Sequence, residues 1–359
     1  MSDEIAAANE GTTPVREGFA FDEGALAGWM QANVPGFAGL TRIEQFKGGQ
    51  SNPTYKLVTP GGNYVLRRKP PGELLKGAHA VDREARVMSA LHAAGFPAPR
   101  VHGLCTDDSV IGSWFFVMDM VEGRIFWDAA LPGMTPDERA AIYDAMNATI
   151  ARLHSLDPEA IGLGDYGRRS NFFARQLATW TRQYREAEDA GRDPDMDRVI
   201  DWLEANMPAD DESFGIVHGD FRIDNMIFHP TEPRVIAVLD WELSTLGHTG
   251  SDFAYHAMMY HMPPHIVAGL ASGRDLPAGI PAERDYLATY CRRSGRCAMP
   301  GYGYYLAFNF FRLAAIMHGI KARVIRGTAS SANAAQRAEA FPQLAQIAWS
   351  LAQAADRGR

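Results

Sequence analysis

Asp220, Asn225 and Asp240 are the residues whose type and spacing are best suited to chemistry. The stretch Val217-His218-Gly219-Asp220-Phe221-Arg222-Ile223-Asp224-Asn225-Met226-Ile227-Phe228 places a carboxamide five residues after a carboxylate. Val238-Leu239-Asp240-Trp241-Glu242 then adds a second carboxylate at the end of a β-like run. Phosphoryl transfer is mostly positioning and charge neutralisation. It needs one carboxylate beside the attacking hydroxyl and hard oxygen ligands to hold Mg2+ against nucleotide phosphates. These three side chains can fill those three roles. The plain alternative is an Asp/Asn-rich turn between buried strands, and the second Asp at suitable spacing argues against it.

Groups of this kind need a scaffold to hold them. Residues 1–17 are expected to form a disordered tail. A helix is predicted over 22–33, and strands over 40–46, 54–59 and 63–68. Between the first two strands lies Lys47-Gly48-Gly49-Gln50-Ser51-Asn52-Pro53, a turn whose N–H groups and Ser51 hydroxyl can cover phosphates. Pro60-Gly61-Gly62 is a hairpin signal joining the latter two. A helix over 80–94, stopped by Gly95 and Pro97, and strands over 101–104 and 114–120 follow. From Thr135 the pattern turns helical, with Thr135 as N-cap, Pro136 at the first helical position and Asp137 and Glu138 in the first turn. That helix should run to 155, followed by helices over 172–190, 196–206, 252–260, 282–294, 302–325 and 333–355. Short strands are expected at 215–218 and 235–239. The result is an α+β chain with a small β-rich N-lobe over 18–123 and a larger helical C-lobe over 124–359.

A chain of 359 residues, 46% hydrophobic and 22% charged, has ordinary globular composition and length enough for two cores. Cys105, Cys291 and Cys297 form no C-x-x-C and suit a reducing cytoplasm. The N-terminal residues are acidic and polar, with no signal-peptide pattern, so a cytoplasmic location is expected. The longest apolar run, 302–325, contains Arg312, His318, Lys321 and Arg323, which argues against a membrane span. No nucleic-acid partner is expected, and the sequence leaves the oligomeric state open. His248, His256, His261 and His265 lack the spacing of a metal site. Tyr302, Tyr304, Tyr305, Phe308, Phe310 and Phe311 read as core.

The Asp220 loop resembles the H-G-D-x-x-x-x-N motif of the aminoglycoside phosphotransferase and choline kinase superfamily. Those enzymes are relatives of protein kinases, whose loop reads H-R-D-x-x-x-x-N. The resemblance implies a two-lobed protein-kinase-like fold, ATP and Mg2+ as cofactors, and transfer to a small-molecule hydroxyl. It implies Asp220 as catalytic base, with Asn225 and Asp240 as metal ligands. Arg222 falls where Ser/Thr protein kinases carry a phosphate-contacting Lys. Gly48, Gly49, Ser51 and Asn52 match the family's Gly-Gly-x-Ser-Asn turn over the phosphates. Tyr64-Val65-Leu66-Arg67-Arg68-Lys69 matches the V-A-I-K strand, with Arg67 in place of Lys. This is a departure, although Arg keeps the charge and adds a forked donor set. Arg68 and Lys69 stay open as alternatives, because strand register is not fixed by sequence. Glu84 matches the helix Glu that pairs with the strand cation. The segment 114–123 matches the strand and hinge that hold adenine, through the Asp119 carbonyl and the Val121 amide. Ile227 and Leu239 would sandwich the purine. Asp252 matches an Asp that anchors the catalytic loop backbone.

The wording Gly-Gly-Gln-Ser-Asn-Pro-Thr-Tyr and Leu-Arg-Arg-Lys-Pro-Pro-Gly is most similar to kinase-like domains fused to some acyl-CoA dehydrogenases. Those are associated with phosphorylating hydroxyacyl-CoA, which implies an anionic small-molecule acceptor. The charge pattern points the same way. Residues 286–338 hold no Asp or Glu, where 43 acids in 359 residues would place about six. The same stretch carries Arg292, Arg293, Arg296, Arg312, Lys321, Arg323, Arg326 and Arg337, a surface that could attract an anion. An aminoglycoside or choline-type kinase and a non-catalytic pseudokinase module are the alternatives. A protein kinase is disfavoured, since no Ala-Pro-Glu follows Asp240.

Overall fold

Short strands linked by turns build the first part of the chain into a sheet. In the computed structural model, which describes residues 10–47, 52–70, 79–209, 213–267, 269–328 and 334–357, the strands are β1 (Thr12–Thr13), β2 (Arg42–Phe46), β3 (Thr54–Thr59), β4 (Gly62–Arg68), β5 (Val101–Cys105), β6 (Phe115–Asp119), β7 (Phe214–Val217), β8 (Met226–Phe228), β9 (Val235–Val238) and β10 (Thr245–His248). The expectations placed on Gly48, Gly49 and Ser51 lie outside the described residues. The chain divides into two units. One comprises Met1–Trp127, Glu159–Leu163 and Arg222–Ser244, and the other Asp128–Pro158, Gly164–Phe221 and Thr245–Arg359.

The first unit contains an antiparallel sheet of order β1-β2-β3-β4-β6-β5 and the antiparallel β8–β9 pair. Tyr55 and Leu57 of β3, Leu66 of β4 and Phe115 and Val117 of β6 pack with Leu26 and Met30 of helix Glu23–Asn33. Successive side chains of a strand point to opposite faces. Leu66 and Arg68 therefore share the face of helix Glu23–Asn33, and Arg67 points the other way. Arg68 donates to Ser113 at 2.8 Å and lies 5.3 Å from the Phe21 ring. Helix Val81–Ala93 buries Val81, Ala85, Met88 and Leu91, the expected stripe, and buries Glu84 with them.

Part of the expected tail is ordered. Residues 12–13 form β1 on the edge strand β2, Thr12 donates to Glu44 at 2.7 Å, and the Arg16 amide donates to Gln45 at 3.0 Å. A short polar stretch can be recruited by an open sheet edge, which offers unpaired N–H and C=O groups.

The second unit is mostly helical. Helix Pro136–His154 starts at Thr135 with a reciprocal capping box to Glu138. Helix Tyr302–Ile325 packs on helices Phe172–Glu186, Pro194–Ala205, Thr249–Ala257 and Phe341–Arg357. Phe173 stacks on Tyr305 at 5.3 Å and meets Tyr304 and Phe308 edge-on, so this aromatic set is core. Within the expected helix 333–355 the described residues form two helices, Ala334–Ala338 and Phe341–Arg357. Pro342 supplies no N–H to continue a helix but is tolerated in a first turn. β7 and β10 pair antiparallel, from Thr245 opposite Val217 to His248 opposite Phe214. No helix among the described residues is long and apolar enough to cross a membrane.

Candidate active site

In the first unit, a single guanidinium organises three carboxylates. Arg67 Nε lies 2.8 Å from Glu84 Oε2, and Arg67 Nη2 lies 2.7 Å from Asp240 Oδ1 and 3.4 Å from Glu242 Oε2. The Arg67 side chain is 9% exposed and that of Glu84 2%, whereas Asp240 keeps 35%. Burial pushes the Glu84 carboxyl up to about 7; Arg67 opposes this rise, and Asp240 and Glu242 add to it. The same three acids hold the Arg67 guanidinium protonated despite its burial. Asn52, fully buried, extends the network, with Nδ2 donating to Glu242 at 3.3 Å and Oδ1 2.9 Å from His79 Nδ1.

Asp240 follows β9 in a left-handed conformation, φ 65°, uncommon for a residue other than glycine. The Leu239 amide donates to the Asn225 carbonyl at 2.8 Å, which ties the chain just before Asp240 to Asn225. Asn225 closes a short 3-10 turn, with Arg222 Nη2 2.9 Å from Asp224 Oδ2. Ile227 is buried in β8 and Leu239 is half-buried. Gly123 is required there, because a Cβ would lie 2.2 Å from the Phe228 carbonyl oxygen. Asp119 ends β6, its amide donating to the Arg100 carbonyl and its carboxylate 2.6 Å from His102 Nε2, and Val121 follows outside the strand.

In the second unit, Asp220 sits on a loop that Asp252 anchors. The His218 and Gly219 amides each donate to an Asp252 oxygen at 2.8 Å. Gly219 has φ 83°, which only glycine adopts without strain. His154 bridges Asp252 Oδ2 at 3.1 Å and the Tyr290 hydroxyl at 2.7 Å, a pattern that a neutral ring satisfies. Burial works against the Asp252 charge, yet the hydrogen bonds and His154 and His218 hold its carboxyl below the usual range. The Asp220 amide donates to His218 Nδ1 at 3.2 Å, and the Tyr255 hydroxyl donates to Asp220 Oδ1 at 2.6 Å. Arg312 Nη2 donates to the Gly219 carbonyl at 3.1 Å. His256 meets the Phe221 carbonyl at 3.1 Å and the Tyr286 hydroxyl at 2.7 Å.

The structure therefore groups Asn52, Arg67, Glu84 and Asp240, and fixes the strand register that sequence left open between Arg67 and Arg68. Glu242, Tyr255 and Arg312 were not assigned to the site from sequence. Glu242 stands two residues after Asp240. Tyr255 stands three after Asp252, on the same helix face.

Part of the basic segment is paired. Arg293 forms a two-pronged pair with Asp144 at 2.8 and 2.9 Å, and Arg326 pairs with Asp189. Arg296 reaches the Ser213 and Thr249 hydroxyls, and Lys321 the Ala190 carbonyl. Ser213 precedes β7 and Asp220 follows its other end, so Arg296 is a strand length from Asp220. Two cations of this segment, Arg293 and Arg326, are thus paired with acids from elsewhere in the chain, and Arg296 is held at the far end of β7 from Asp220. Arg312 is the member of this segment that reaches the loop.

A sheet cation tied to a helix glutamate, and an H-G-D loop anchored on a helical unit, define a kinase-like phosphotransferase that acts on a hydroxyl acceptor. The sequence profile of the phosphotransferase enzyme family matches residues 42–286, and the chain belongs to that family. It is similar to acyl-CoA dehydrogenase family member 11 of Gallus gallus, 44% identical over 95% of this chain and 44% of that protein. Acyl-CoA dehydrogenase family member 10 of Mus musculus is 42% identical over 95% of this chain and 32% of that protein. The chain spans less than half of the length of these relatives. A crystal structure from Ralstonia eutropha, named after the aminoglycoside phosphotransferases, is 50% identical with a TM-score of 0.84, covering 93% of this chain and 99% of that one. A choline kinase from Cryptosporidium parvum, 12% identical with a TM-score of 0.60 over 94% and 96% of the two chains, shares the fold.

Proposed function

We propose that this chain transfers the γ-phosphoryl group of ATP, with Mg2+, to the hydroxyl of a small anionic acceptor, and that the acceptor is a hydroxyacyl-CoA. The observation that carries the catalytic half is the Arg67 cluster. The strand cation and helix glutamate implied by the family resemblance are a buried ion pair, and Asp240 shares the same guanidinium. Asp240 and Asn225 offer the hard oxygens that Mg2+ prefers. Three carboxylates on one guanidinium leave a surplus of negative charge that a divalent cation suits. Mg2+ held there would neutralise phosphate charge.

The protein's own groups do the rest. Asp220 accepts the proton of the acceptor hydroxyl as its oxygen bonds to the phosphoryl group and ADP departs. Arg67, with Nε and Nη2 held by Glu84, Asp240 and Glu242, sets Asp240 beside the phosphates, Arg222 holds phosphate oxygens, and Gly48, Gly49, Ser51 and Asn52 are the residues proposed to cover them. The Asp119 carbonyl and Val121 amide take the purine edge, with Ile227 and Leu239 against its faces. In this reading residues 18–123 cover the nucleotide, and 124–359 carry catalysis and the acceptor pocket. The cytoplasm, where ATP and CoA esters meet, is the proposed location.

A CoA-type acceptor is supported by similarity, over 95% of this chain, to proteins named for acyl-CoA dehydrogenation. The test is ADP release with Mg·ATP against 3- and 4-hydroxyacyl-CoA esters, kanamycin and choline. CoA esters should be the better acceptors. Efficient phosphorylation of the cations without turnover of any CoA ester would remove this reading of the acceptor.

A further inference from the structure

We propose that Tyr255 is a positioning residue that sets the direction of the Asp220 carboxylate for phosphoryl transfer, an inference that rests on the function proposed above. Asp252 and Tyr255 are three residues apart on helix Thr249–Ala257 and so share one face. Asp252 takes the His218 and Gly219 amides at 2.8 Å each, which fixes the loop backbone. Tyr255 donates its hydroxyl to Asp220 Oδ1 at 2.6 Å, which addresses the side chain. One helix face thus holds both the backbone of the loop and the group it presents.

The Tyr255 ring is itself held. The Arg312 guanidinium lies 5.4 Å from its centroid and 5.9 Å from that of Trp180, and Arg312 also donates to the Gly219 carbonyl at 3.1 Å. A phenol donating to a carboxylate is a short, charge-assisted bond. By fixing Oδ1 it fixes the rotation of the carboxyl group and hence the line along which Oδ2 points. A base acts only from within hydrogen-bond reach of the proton it takes, and small misplacements cost large factors in rate.

Tyr255→Phe keeps the ring, its contact with Arg312 and every backbone anchor of the loop, and removes the bond to Asp220. With 3-hydroxybutyryl-CoA as acceptor, or with water as acceptor in Mg·ATP hydrolysis, kcat should fall by about tenfold to a hundredfold, the scale of a hydrogen bond to a charged group. KM for ATP should stay within about twofold. In an Asp220→Asn background the same substitution should have no further effect, because the two residues act as one unit. A crystal structure of Tyr255→Phe should show the Asp220 carboxylate turned from its direction here. Wild-type kcat in Tyr255→Phe, losses that multiply in the double variant, or an unmoved carboxylate would overturn the proposal. Wild-type turnover in Asp220→Asn would instead overturn the catalytic reading beneath it, so the two failures are distinct.

Discussion

Replacing Arg67 with Met removes the guanidinium that Glu84, Asp240 and Glu242 share. Breaking one side of a buried ion pair costs about 3–5 kcal/mol when the remaining charge has no compensation. Glu84 is buried deeply enough for that cost to apply, but it can escape by taking up a proton. Burial already pushes its carboxyl up to about 7 with Arg67 in place, and losing Arg67 pushes it higher. In the wild-type protein this group binds a proton in the folded state between about pH 4.3, its unfolded value, and about 7. Its stabilising contribution is therefore full below that window and lost as pH rises through it. In Arg67→Met the loss continues above neutrality, by up to about 1.4 kcal/mol per pH unit. The variant should be destabilised by about 1–2 kcal/mol near pH 6 and about 2–3 kcal/mol near pH 8, read from urea unfolding against wild type. An equal difference at both pH values, or one below about 1 kcal/mol near pH 8, would refute the buried pair as the source.

Two further outcomes follow from other buried or paired groups. Burial holds His256 neutral, with a pKa of about 4, and its bonds to the Phe221 carbonyl and the Tyr286 hydroxyl suit the neutral ring. Because the unfolded ring protonates near about 6.5, stability from this group is lost as pH falls from there toward about 4, by roughly 3 kcal/mol. The acid limb of the unfolding curve should flatten in His256→Gln, and an unchanged limb would count against it. Arg293→Ala should cost about 1 kcal/mol or less, as a half-exposed pair with Asp144. It should leave the KM for the acceptor unchanged; a raised KM would restore the basic segment as an acceptor surface.

Long periodic elements were legible in the sequence, and local chemistry explains which ones. Helix Tyr302–Ile325 shows unbroken apolar periodicity, and helix Pro136–His154 begins with its cap, proline and acids in order. β1, β8 and β10 were not foreseen: β1 and β8, of two and three residues, carry too little pattern, and β10 forms on the edge of β7. Among the candidate residues, Asp220, Asn225 and Asp240 could be put forward from spacing. The choice between Arg67 and Arg68 could not, since one residue of register exchanges the faces of a strand. The pairing of two cations in 286–338 was hidden for a related reason. Composition records which charges a segment carries, and pairing with Asp144 and Asp189 depends on the fold. Tyr255 had a signal, the i,i+3 spacing from Asp252, whose meaning appears only when the loop is placed against that helix.

The most direct test of phosphoryl transfer through Asp220 is 31P NMR of ATP, Mg2+ and 3-hydroxybutyryl-CoA incubated with the wild-type chain and with Asp220→Asn. The account predicts ADP and a new phosphate-ester resonance with the wild-type chain. It predicts loss of that resonance on chelation of Mg2+, and a rate lower by about a hundredfold or more in a folded Asp220→Asn variant. A phosphate ester that forms at the wild-type rate in Asp220→Asn would contradict it.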